Sequence, residues 1–151
     1  MTLDSSRIHP PQRRVVLAAI SDCSLDVRAH EAAVTDVRAG AIVTFSGEVR
    51  DHDGGRAVVG IEYEGHPNSA AVLAEILADV VPQTDVEAVA VTHRIGELAV
   101  GEKAIVVAVS AAHRHEAFAA CSRIVDEVKH RLPIWKRQQF ADGTEEWVAC
   151  P

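Results

Sequence analysis

The sequence predicts a single α+β domain with a mainly antiparallel sheet. Strand-like runs outnumber helical ones, two long stretches repeat apolar residues at spacings of three and four, and turn signals separate the runs without any internal repeat or low-complexity tract. At 151 residues, with 48% hydrophobic and 25% charged residues, the chain is large enough to bury a core as one globular unit.

The elements follow in order. Residues 1–14, with the Pro10-Pro11 pair, read as a flexible N-terminal arm, and residues 15–151 as the domain. VVLAAIS (15–21) is a first strand, and Ser24 is the expected N-cap of a short helix from about Leu25 to Val37, closed by Gly40. AIVTFSGEVR (41–50) alternates: Ala41, Val43, Phe45, Gly47 and Val49 share one face, while Thr44, Ser46, Glu48 and Arg50 share the other. Arg50 therefore ends a strand on its polar side. DHDGG (51–55) reads as a loop and VVGIEYEG (58–65) as the next strand. Pro67-Asn68 opens a helix whose stripe is Val72, Leu73, Ile76, Leu77 and Val80, and Pro82 ends it.

VEAVAVTHRIGEL (86–98) and KAIVVAVSA (103–111) read as two strands joined through Gly101, the second apolar enough to be central. A second long helix places Phe118, Cys121, Val125, Val128 and Leu132 on its apolar stripe, until Pro133 forbids continuation. WKRQQF and EEWVA then flank Asp142-Gly143, a hairpin turn signal.

Composition excludes several classes of function. No run approaches the roughly 18 apolar residues of a membrane span, and the first residues carry no apolar signal-peptide core, so a cytoplasmic protein without membrane contact is expected. Cys23, Cys121 and Cys150 are odd in number and widely spaced, which points to reduced thiols rather than a disulfide framework or zinc knuckle, with Cys121 in a helix core. A net charge of -7 and only 4% aromatic residues argue against nucleic-acid binding. One segment departs from this balance. Residues 113–137 carry six Lys or Arg against three Asp or Glu, a net +3, whereas the rest of the chain carries nine against nineteen, a net -10.

The densest part of that segment is KHRLPIWKR (129–137). Lys129 lies about 80° from the centre of the helix stripe, where a lysine either snorkels toward the negative helix end or serves a site. Lys136 stands beyond the Pro133 break, and the chain reversal can return it close to Lys129. Such a pair can supply a nucleophile, a proton carrier or an anion clamp. Arg50 reads equally as a solvated charge or as part of that clamp. His113 and Arg114 fall at a strand-to-helix junction, where backbone N–H groups favour an anion; the alternative is that His113 only caps the turn. His113 and His115 have no third ligand at a recognisable spacing, so no metal is expected. There is no GxGxxG, GxxxxGK[ST] or GxSxG segment either. The residues describe an anion-binding pocket with lysines and no cofactor.

Several segments together resemble the family of large, catalytic subunits of molybdopterin synthase: TFSGEVRDHDGG (44–55), IEYEGHP (61–67), VTHRIGELAVGE (91–102), SAAHRHEAF (110–118) and KHRLPIWKRQ (129–138). The resemblance covers most of the chain from about residue 40 to Val148. It implies an α/β hammerhead fold and a homodimer within a heterotetramer, with a small ubiquitin-like sulfur-carrier subunit docked at each end. The carrier's C-terminal Gly-Gly thiocarboxylate would donate sulfur to cyclic pyranopterin monophosphate, two transfers building the dithiolene of molybdopterin. The enzyme would be a sulfurtransferase without cofactor, because the sulfur arrives on the partner. Matched by motif, Lys129 and Lys136 correspond to the family's catalytic lysines, the first at the sulfur-transfer centre and the second in electrostatic and proton-transfer support. Glu48, Val49, Arg50, His113, Arg114, Arg137 and Gln138 correspond to substrate-binding segments, with His113 and Arg114 serving the neighbouring subunit's site. Family members often carry an acid where Gln138 stands. Trp135 is expected to anchor its strand by packing.

A competing reading from the residues is a non-catalytic module that uses the same basic patch for RNA or a phosphorylated ligand, and a third is a scaffold that docks a ubiquitin-like partner without catalysis.

Overall fold

A computed structural model describes residues 10–149 and sets the two most apolar strands, β5 (Val86–Arg94) and β7 (Lys103–Ala111), side by side at the centre of a four-stranded sheet. β1 (Arg14–Ser21) runs parallel to β5, and β2 (Ala41–Glu48) runs antiparallel to β7. Alternation along the central strands sorts their side chains. Ala88, Ala90 and Ala108 meet Val34 of the short helix α1 (Val27–Val34), while Val89, Val91, Val107 and Val109 belong to the main core. With apolar packing on both faces, these strands need no polar face and read as continuous hydrophobic runs.

Helices α2 (Ser69–Val80) and α3 (Arg114–Arg131) supply the other wall of the main core, and they pack against each other as well as the sheet. Leu73, Ile76, Leu77 and Ile124 are fully buried there. Each contributes roughly 2 kcal/mol of hydrophobic stabilisation.

The second sheet is ordered β3 (His52–Asp53), β4 (Arg56–Gly65), β8 (Ile134–Phe140), β9 (Glu145–Ala149), and β6 (Gly96–Ala99) also pairs with β4. Gly143, at φ +87°, makes the predicted turn between β8 and β9. The order of elements and their mainly antiparallel pairing match the predicted α+β class. No helix among the described residues is long and apolar enough to cross a membrane.

Several boundaries differ from the sequence reading, each for a local reason. Residues 86–98 form two strands, not one: the Ile95 N–H donates to the Ser21 carbonyl, Gly96 takes φ +93°, and the run is divided between the sheets. The DHDGG loop contains β3, and Gly54 and Gly55 supply the positive φ values of its turn. α1 is capped by Asp26, whose carboxylate accepts from the Ala29 N–H at 3.2 Å, rather than by Ser24, and it ends at Val34 rather than Val37. Phe118 is 62% exposed and lies off the α3 stripe, which is made instead by Ala117, Ala120, Cys121, Ile124, Val125 and Val128. Small residues allow close helix–sheet approach, so a stripe counted from large side chains alone is rotated from the true one.

Residues 1–9 of the expected arm lie outside the described residues. Within the described part, the Gln12 N–H donates to Glu87 at 3.2 Å and the Arg13 N–H to the Val86 carbonyl at 3.0 Å, before β1 begins at Arg14. Cys121 is buried and Cys23 exposed, both as free thiols, whereas Cys150 lies outside the described residues.

Candidate active site

The two sheets and the end of α3 enclose a cavity of about 310 Å³. The local sequence explains why the lysines meet there. Val128 and Leu132 bury in the core one turn apart, which fixes the last turn of α3, and Pro133 then stops the helix. β8 starts at the next residue and runs back along β4, with Lys136 opposite Tyr63 and Gln138 opposite Ile61. Directly opposed residues share a face of the sheet, and this face lines the cavity. Lys129 enters from the helix and Lys136 from the strand.

Neither Lys129 nor Lys136 has a carboxylate within ion-pair distance among the described residues. The other cations nearby are engaged. Arg50 pairs with Asp53 at 3.2 Å, and Lys103 pairs with Glu48 at 3.4 Å. Below these polar groups the walls are apolar, built from Val58, Ile61, Ile105, Val128, Leu132 and Ile134. An unpaired cation against an apolar wall attracts an anion more strongly than the same charge in open water. The cavity is therefore built to hold negative charge.

Two further polar side chains line it. Gln138 is only 4% exposed, and its Oε1 has no hydrogen-bond partner among the described residues. His93 is equally buried, with Nδ1 2.7 Å from the Arg94 carbonyl and its ring edge-on to Tyr63 at 5.3 Å. Burial pushes its pKa down to about 4, against the bond to the Arg94 carbonyl, and the nearby Lys129 charge lowers it further.

The remaining sequence-predicted residues lie elsewhere. Val49 is a core side chain, 3% exposed, whose backbone bonds to Gly101 and Glu102 and so ties β2 to the β6–β7 turn between Glu48 and Arg50. Arg137 points to the opposite face of β8, where it pairs with Glu62 and Glu145 and lies over the Trp147 ring. Trp135, read from sequence as a packing anchor, is 42% exposed; strand alternation puts it on that same outer face. His113 and Arg114 line a separate concavity with Gly40 and Phe118, at the N-terminal end of α3. His113 occupies the N-cap position, but its side chain makes no capping hydrogen bond. Arg114 and Lys129 are separated along α3 by roughly 22 Å of helix rise. One chain does not bring these two groups of residues together.

The family described as MoaE protein matches residues 20–131 of this chain. The chain belongs to the MoaE family. This MoaE-family chain is 39% identical over 133 residues to a molybdopterin synthase catalytic subunit from Nostoc, covering 87% of the chain and 81% of the relative. It is 45% identical over 118 residues to one from Pyrococcus abyssi, covering 78% and 79%. The crystal structure of molybdopterin synthase from Staphylococcus aureus superposes on it with a TM-score of 0.77 at 27% identity, covering 93% of this chain and 98% of that one.

His52, His66 and His93 lie in segments of this MoaE-family chain that resemble the family, but the residues alone gave them no role, and two of them, His52 and His93, line the cavity. His93 lies in the VTHRIGELAVGE segment. The available signal was its setting: a single histidine near the end of a strand whose first eight residues are all buried.

Proposed function

We propose that this MoaE-family chain is the catalytic subunit of a molybdopterin synthase and transfers sulfur from a small carrier protein to a pterin. Its family makes it an enzyme of molybdenum cofactor biosynthesis. In the finer reading, the carrier is a ubiquitin-like subunit whose C-terminal Gly-Gly thiocarboxylate enters the cavity, and the acceptor is cyclic pyranopterin monophosphate. The observation that carries this reading is the pair Lys129 and Lys136, without carboxylate partners, in one partly apolar cavity.

Two anions must meet for such a transfer, a thiocarboxylate and a phosphate-bearing pterin, and their repulsion opposes the encounter. Two lysines with Arg50 beside them offset that repulsion. The sulfur bonds to the pterin, water adds to the carrier's acyl carbon as the carbon–sulfur bond breaks, and the carrier leaves as its carboxylate. Lys129 stabilises the charge on the acyl oxygen, and Lys136 supports it electrostatically and in proton transfer. Glu48, Arg50 and Gln138 contact the substrate from the same cavity. Val49 and Arg137 support that contact from behind, one through the core and the other through its pairs with Glu62 and Glu145. His113 and Arg114 serve the cavity of a second copy in a homodimer, which with two carriers makes a heterotetramer. No cofactor is required, since the carrier delivers the sulfur.

A single-turnover assay with thiocarboxylated carrier and cyclic pyranopterin monophosphate tests the reading. Wild type forms product, Lys129→Ala loses at least roughly a hundredfold in rate with carrier affinity intact, and Lys136→Ala loses less. Carrier binding without product from wild type would overturn catalysis by this chain.

A further inference from the structure

Among the described residues the fold buries two histidines and uses them differently. His30 commits both ring nitrogens to the fold, Nδ1 at 2.6 Å from the Asp26 carbonyl and Nε2 at 2.7 Å from the Thr92 hydroxyl. His93 commits one. Its Nδ1 faces the Arg94 carbonyl, and a carbonyl only accepts, so Nδ1 carries the proton and Nε2 carries the lone pair of the neutral ring. The ring is held by Tyr63 at its edge and by the strand pairing of His93 between Ile20 and Ile105. It is thus a rigid acceptor lining the cavity.

Lys129 has the opposite properties. It stands on the last turn of α3, which packs against β5, and a flexible four-carbon stem carries its ammonium. No carboxylate among the described residues holds it. A carboxylate would fix the ammonium, but it would also cancel the charge that an anionic ligand needs. A neutral acceptor fixes the group and leaves the charge in place.

We propose that His93 is a positioning residue for sulfur transfer: its Nε2 accepts a hydrogen bond from the Lys129 ammonium and aims that group at the oxygen of the reacting acyl group. The inference rests on the proposed function for its reaction, whereas the proposed hydrogen bond needs only two side chains of this chain that line the same cavity.

Two variants separate this role from packing. His93→Phe keeps a ring against Tyr63 and removes both nitrogens, whereas His93→Gln returns an acceptor near the Nε2 position. In single turnover at saturating substrate, His93→Phe slows transfer roughly 30-fold while carrier affinity stays within about twofold, and His93→Gln recovers to within about fivefold of wild type. Because the effect passes through Lys129, His93→Phe adds no further loss to Lys129→Ala. Multiplied losses in the double variant, full activity in His93→Phe, or equal loss in both His93 variants would each overturn the role. Imidazole ¹⁵N spectra of wild type give a reading that needs no turnover. Nε2 of His93 is unprotonated, and its resonance moves when Lys129 is changed to Met; a proton on Nε2, or no movement, sinks the inference. If wild type makes no product, the proposed function fails, and these spectra still decide the contact.

Discussion

A histidine held neutral by burial makes stability depend on pH. His93 takes its proton at about pH 4 in the fold against 6.5 for the ordinary side chain, chiefly because burial penalises the charged ring. Between those values the unfolded chain holds more protons, so this group lowers stability as pH falls from 6.5 toward 4 and has little effect above that window. The loss reaches roughly 3 kcal/mol at the acid end. Carboxylates such as Asp36, held below the usual range mainly by the Arg38 N–H, act in the same direction but are common to any His93 variant. Urea unfolding at pH 7.5 and 4.5 therefore isolates the histidine: wild type loses about 2 kcal/mol more than His93→Gln. Equal losses would mean that the ring is no harder to protonate folded than unfolded. Cys121 follows the same physics with the other sign of charge. Burial pushes its thiol up to about 11, as suits a core side chain rather than a nucleophile.

The site depends on two junctions between elements. At one, the end of α3 passes through Pro133 directly into β8, which makes Lys129 and Lys136 neighbours although they belong to different elements. At the other, Gly40 brings the start of β2 against the end of β7 just before α3. Its N–H donates to the carbonyls of Ala111 and Ala112, and a Cβ there would lie 2.5 Å from the Ala112 oxygen. Backbone cannot move away as a side chain can. Gly40→Ala is expected to lose about 1–3 kcal/mol in denaturant unfolding. An unchanged midpoint would mean that the junction has slack and does not hold the His113 segment tightly.

At the scale of the molecule, the separation between the two ends of α3 sets an assembly requirement. If His113 of one copy completes the Lys129 cavity of another, two defective subunits restore one good site when mixed. In a refolded equimolar mixture of His113→Ala and Lys129→Ala chains, half the dimers are mixed and each has one intact site, so about a quarter of wild-type activity returns. If both residues act within one chain, the mixture stays as inactive as its components. The result separates a shared site from two independent ones.

Most of the architecture was legible because it rests on local rules. Period-two alternation located β2, spacings of three and four located α2 and α3, and Pro82, Pro133 and Asp142-Gly143 marked where the chain must stop or turn. Shared segments carried the family, and the density of charge around Pro133 carried the lysine pair. What the sequence could not determine depended on contacts between distant residues. The bend at Ile95 is set by a bond to Ser21, the outward turn of Phe118 by the small residues on which α3 rests, and the placement of Arg137 by register against Glu62. The charge of His93 belongs with these. Its tautomer follows from the carbonyl of the next residue, Arg94, but the charge depends on burial beside Tyr63 and Lys129, which only the tertiary structure brings from two other elements to one ring.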